Sequence, residues 1–139
     1  MGAFDGLDIS GSGMNAHRQW MEAAASNVAN ANTTRTAAGG PYQRKTVVFQ
    51  EALKAAQIGE PLARSGVAAT AGPPDPTPFP KIFDPSHPDA DPQGYVSLPN
   101  VEPVREMVDL TAATRAYEAN VAAFGATKAM LLKSLEIGK

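Results

Sequence analysis

The chain carries amphipathic helical patterns at both ends, with a proline-rich stretch between them. Near the N-terminus Leu7, Met14, Met21 and Val28 fall seven residues apart. Near the C-terminus Met107, Leu110, Thr114, Tyr117, Val121, Phe124, Lys128, Leu131 and Leu135 alternate in steps of three and four, and only Thr114 and Lys128 are polar. A sustained alternation of this kind marks one stripe down a helix that packs against another helix. The pattern predicts a first helix over 4–31, strongest over 14–29. Its start is weakened by Ser10, Gly11, Ser12 and Gly13, since each Gly costs roughly 0.5–1 kcal/mol against Ala. It predicts a second helix from about Pro103, tolerated in a first turn, to about Glu136. At about 1.5 Å per residue the second helix is roughly 50 Å long, more than the rest of so small a chain can shield.

Between the helices the periodicity changes. Asn30 to Thr34 read as the helix exit, because Asn tolerates the left-handed conformation and short polar side chains compete for backbone hydrogen bonds. Gly39-Gly40-Pro41 is a turn. Within Gln43 to Gln50, Thr46-Val47-Val48-Phe49 is β-branched and aromatic and reads as a strand; Glu51 to Gln57 reads as a short helical turn. Eleven of the twelve prolines lie between Pro61 and Pro103, which leaves room for short strands only, at Val67–Ala71, Lys81–Phe83 and Tyr95–Leu98. Asp84 through Pro92 is dense in turn formers. The expected fold is mainly α with a small β element. The N- and C-terminal helices pair as a coiled-coil-like hairpin, and short irregular antiparallel strands and a proline-rich loop lie between them. The organisation is a helical core unit from 1–34 and 103–139 and a β/loop region over 35–102.

Composition sharpens this. Apolar residues make up 43% of the 139, but much of that is alanine, and aromatics are only 6%. Large side chains for a compact core are scarce, so the helical stripes are expected to bury much of their area between chains. The formal net charge is −2 with no block of like charge, which argues against a nucleic-acid binder and against a basic membrane-surface helix. No run of 18 apolar residues suggests a membrane span. The absence of cysteine excludes disulfides and thiolate metal sites. The first ten residues show neither a basic nor an apolar leader region, so no cleaved Sec-type signal is expected.

Candidate chemistry is sparse. His17 reads as a packed histidine three residues before Trp20. His87, near Asp84, Asp89 and Asp91, lacks the alternating ligands, glycine and closing Glu of a calcium loop. Gly11-Ser12-Gly13 is too short to cradle a phosphate. Glu102, Arg105, Glu106 and Asp109 read as a solvated face at a helix start, where carboxylates suit the dipole. Lys128 either snorkels or pairs with a carboxylate of a neighbouring helix. Tyr117 and Asn120 either pack or hydrogen-bond across a helix interface. No catalytic residue, metal or cofactor is expected.

The stretch Ala25-Ser26-Asn27-Val28-Ala29-Asn30-Ala31-Asn32-Thr33 resembles the N-terminal signature of bacterial flagellar rod and hook proteins. Pro41-Tyr42-Gln43-Arg44-Lys45 with Val47-Val48-Phe49, the span from Asp84-Pro85 to Gly94-Tyr95-Val96, and Pro99-Asn100-Val101 leading into Glu106-Met107-Val108 narrow it. With Tyr117-Glu118-Ala119-Asn120 and the tail from Lys128, they resemble the proximal rod type. The stretch from Ala68 to Pro80 matches poorly. The resemblance implies a structural subunit of the drive shaft in the periplasm, exported by the flagellar type III apparatus. It also implies terminal helices that pair in the inner tube and order on assembly. Partners would be further copies of the chain, neighbouring rod proteins and that apparatus, with no nucleic acid and no membrane insertion. On this reading Leu110, Tyr117, Val121, Phe124 and Leu131 make the contacts of the second helix, with Met14, Met21 and Val28 opposite. Asn27 and Asn30 hold the helix exit and its subunit contacts. The alternatives are another rod or hook-junction subunit and, from a different class, an enzyme or free-standing binding module.

Overall fold

A computed structural model describes residues 4–53 and 65–137. Two helices, α1 (Asp5–Ala29) and α2 (Pro103–Ile137), pack along each other. Between them in sequence lie two separate two-stranded antiparallel sheets. One pairs β1 (Val47–Leu53) with β2 (Ser65–Ala71), in the register Val47↔Ala71 to Leu53↔Ser65. The other pairs β3 (Lys81–Phe83) with β4 (Tyr95–Ser97).

α1 starts with the Phe4 carbonyl accepting from the amides of Leu7 and Asp8, and Asp5 and Asp8 place negative charge in the positive first turn. The glycines do not break it. At its end Asn30 has φ −105°, and no described non-glycine residue has positive φ. The expected left-handed exit is therefore absent. The Asn30 side-chain amide instead donates at 2.9 Å to the Ser26 carbonyl, which also accepts from the Asn30 backbone amide at 3.1 Å. Gly39 and Gly40, at φ +86° and +74°, supply the turn after the exit.

The helical turn expected at the start of Glu51–Gln57 does not form over residues 51–53, which extend β1; the remainder lies outside the described residues. Pairing with β2 satisfies those backbone groups in a ladder, and tertiary pairing overrides a weak local preference. The two-stranded sheet is held by α1. Phe49 meets Trp20 edge to face at 5.8 Å and His17 at 5.6 Å. The Ser12 hydroxyl accepts from the Val67 amide at 3.0 Å, and a Cβ at Gly66 would lie 2.7 Å from that oxygen.

The buried apolar residues are mostly small: Ala16, Ala24, Ala69 and Ala113, with Tyr42 and Val96. Much larger apolar area stays outside. Val104, Met107, Val108, Val121, Met130, Leu132 and Leu135 of α2 are all exposed.

Candidate subunit interface and the buried polar cluster

The line along which α1 meets α2 is marked by close approach. A Cβ at Gly6 would lie 3.1 Å from Thr127, and one at Gly13 would lie 2.8 Å from Asn120. Further along, Asn27 donates to the Glu106 carboxylate at 2.9 Å. Gly6, Gly13 and Asn27 are spaced by whole heptads, and Thr127, Asn120 and Glu106 descend by the same steps. The pairing is thus an antiparallel heptad seam. The residue between them on α2, Ala113, is fully buried.

This seam sits one residue away from the stripe expected on each helix. On α1 the contact runs through Gly6, Gly13 and Asn27, while Leu7, Met14, Met21 and Val28 are half-buried beside it. On α2, Glu106, Ala113, Asn120 and Thr127 take the places expected for Met107, Thr114, Val121 and Lys128. Met107, Val121 and Lys128 are exposed, as is Leu135. Leu110, Tyr117, Phe124 and Leu131 are half-buried. Thr114 still reaches α1, its hydroxyl 3.4 Å from the Met21 sulfur. The reason is steric: glycine, alanine and short polar side chains let the two backbones approach, and the bulkier Met and Val are turned outward. Asn120 donates its amide to the Ala116 carbonyl of its own helix, and among the described residues it has no hydrogen bond across the interface.

The helix-start carboxylates are not all solvated either. Glu106 is 1% exposed. Its carboxylate accepts from Asn27 and from Arg44 Nε at 2.5 Å. Arg44 also reaches Asp75 at 3.4 Å and Asp109 at 3.5 Å, and its backbone amide donates to Asn100. Burial works against the Arg44 charge, but the hydrogen bond and charge of Glu106, with those of Asp75, raise its pKa further. Asp75 accepts from the hydroxyl and amide of Thr77, and those bonds, with Arg44 beyond them, lower its pKa. Glu102 and Arg105 are exposed.

Asn27 joins this cluster to the helix exit. Its Nδ2 donates to Glu106 and to the Lys45 carbonyl, and its Oδ1 accepts from the Lys45 amide and the Tyr42 hydroxyl. These four bonds are the full capacity of an amide. Asn27 is 1% exposed, so its contacts lie within the chain rather than between subunits.

Arg44, Tyr42 and Asp75 were not foreseen as partners of the helices. Gly11-Ser12-Gly13, too short to cradle a phosphate, is a two-sided contact, Ser12 toward β2 and Gly13 toward α2. His17 packs as expected, with its Nδ1 buried and without a hydrogen-bond partner. The His87 Nδ1 accepts from the Asp89 amide in a turn, and Asp89 is bonded to Thr34 and paired with Arg35. Among the described residues no cluster of His, Asp and Glu could hold a metal ion, and no helix is long and apolar enough to cross a membrane.

Residues 7–35 match the family described as flagella basal body rod protein. Residues 93–137 match the family described as the C-terminal region of the flagellar basal body rod FlgEFG proteins. The chain is 43% identical to the flagellar basal-body rod protein FlgC of Bacillus subtilis, with all of both chains covered. It is 43% identical to FlgC of Aquifex aeolicus, over 100% of this chain and 99% of that one. It is 41% identical to FlgC of Yersinia enterocolitica over 96% of each.

Proposed function

The chain belongs to the FlgC family of flagellar basal-body rod proteins, and from that premise we propose that its terminal helices build the proximal rod through the outward face of α2. It is a structural rod subunit of the basal body, and it assembles with other rod proteins. The finer reading concerns how. The helical hairpin, 1–34 with 103–139, is the core unit of the rod, and 35–102 is the β/loop region. Neighbouring copies and adjacent rod proteins lay their helices against the apolar side chains that the intrachain seam leaves free. Contacts of that kind, repeated without closing, generate a helical tube, and interdigitated side chains resist the shear that torque imposes. The chain works mechanically, without catalysis, in the periplasmic part of the basal body, after export by the flagellar type III apparatus.

The observation that carries this reading is the exposure of Met107, Val121 and Leu135, at 54%, 46% and 70%. They lie two heptads apart along α2, and apolar side chains exposed at a regular spacing mark a surface that another chain covers. Replacing all three by Gln leaves the seam residues Glu106, Ala113, Asn120 and Thr127 in place. The triple variant is expected to be expressed and exported yet absent from isolated basal bodies, with motility lost. Normal swimming by cells carrying only that variant would refute the assignment.

A further inference from the structure

We propose that Glu106, Asn27 and Arg44 act as a register lock that selects one alignment of α2 against α1. The inference rests on intrachain geometry alone and goes beyond membership of a rod.

The seam needs such a lock. Its contacts are repeats: glycine against a short polar side chain at Gly6 with Thr127, and again at Gly13 with Asn120, one heptad apart. On α1 the flanking positions Leu7, Met14, Met21 and Val28 are half-buried apolar residues one heptad apart. A slip of seven residues would set one such repeat over the next, and heptad seams of this sort are prone to alternative registers. The connection between the helices, from Asn30 to Glu102, is long enough to permit the slip, unlike the short turn of a simple helical hairpin.

The Trp20–Ala113 level breaks the repeat by size, and the Asn27–Glu106 level breaks it by charge. There the Glu106 carboxylate, 1% exposed, takes one donor from Asn27 on α1 and another from Arg44 in the middle of the chain. Arg44 is itself fixed by Asp75, Asp109 and Asn100. A slip of one heptad in one direction carries Glu106 to the level of Trp20. The opposite slip carries it beyond Ala29 to the level of Thr34. Either removes the carboxylate from both donors and leaves the Asn27 amide one acceptor short. Burying an unpaired charge is strongly unfavourable, and a buried polar residue at a seam position is an attested way to specify register. Asn27 and Glu106 are therefore positioning residues. A slip would displace the outward stripe of α2 by about 10 Å along α1, so the lock decides which assembly surface the subunit presents.

Cysteine pairs test this directly, since the chain has no cysteine of its own. A Cβ at position 6 would lie 3.9 Å from the Cβ of Thr127, within the range a disulfide spans. G6C/T127C thus reports the observed register, while G13C/T127C and G6C/N120C report the two slips. Each pair is oxidised in the full-length chain in sucrose, which favours compact states, and the first pair also in isolated basal bodies. Intrachain loops are separated from crosslinked dimers by mobility. With Arg44 and Glu106 intact, only the 6–127 loop is expected to close. In the R44M/E106M background, which removes both charges and keeps apolar bulk, helicity is expected to persist. The 6–127 yield should fall there and a slipped loop should appear. E106Q, which keeps an acceptor for Asn27, should retain the observed register. A helical R44M/E106M chain that closes only 6–127 would overturn the proposal. So would an R44M/E106M chain without helicity, because the charges would then be supplying stability rather than register.

Discussion

Asn27 uses every hydrogen-bonding group of its side chain, and two of the side chains it serves, Glu106 and Tyr42, are themselves buried. Its loss is felt several times over. Asn27→Ala is expected to cost about 3 kcal/mol or more, since each buried group left without its partner costs about 1–3 kcal/mol. Tyr42→Phe removes one donor from an oxygen that keeps another, and about 1 kcal/mol is expected. Arg44→Ala leaves Glu106 charged and half-served, the case in which breaking a buried pair costs about 3–5 kcal/mol. Thermal unfolding of the three variants in sucrose gives the order. Asp75 adds a pH dependence whose sign is fixed. Its carboxyl is held below its ordinary pKa by Thr77 first and by Arg44 after it. The stabilisation it provides is therefore complete above the unfolded value of about 3.9. It is lost as the pH falls through the lower folded value. Asp75→Asn should flatten the acid limb of a stability–pH curve and leave the neutral region level.

At the level of elements, the glycines of α1 divide by what surrounds them. Gly11 has nothing within 4 Å of an added Cβ, whereas Gly13 would place one 2.8 Å from Asn120. Gly11→Ala is expected to stabilise by about 0.5–1 kcal/mol through helix propensity. Gly13→Ala should forfeit that gain, because it pushes on the side chain that fills the crossing point; paired melting curves separate the two. The same contrast explains what the sequence made legible. Element identities were readable from local patterns, and β3 has the expected bounds at Lys81–Phe83. The three-four spacing of α2 was readable as well, but its phase was not. Apolar weighting selects Met107 and Val121, while close contact selects Ala113 and Asn120, and the two stripes are adjacent on one helix. The Arg44–Glu106 pair joins residues far apart in sequence, with no periodic signal to connect them. The extension of β1 over residues 51–53 depended on a partner strand that local propensity does not see.

Taken whole, the molecule is two helices whose mutual contact is small-residued and polar, with the larger apolar side chains reserved for its outside. That distribution accounts for a chain rich in alanine and poor in aromatics. It also makes the join between the hairpin and the β1–β2 sheet open to direct observation. Trp20 is the only tryptophan in the chain, and it sits at that join, between His17 and Phe49. Its fluorescence therefore reports docking of the sheet, while far-ultraviolet ellipticity reports formation of the helices. If hairpin and sheet order as one cooperative unit, the emission shift and the ellipticity change will superimpose during refolding or assembly. Emission that trails ellipticity would mean that the shaft's helices form first and the sheet is fitted to them afterwards.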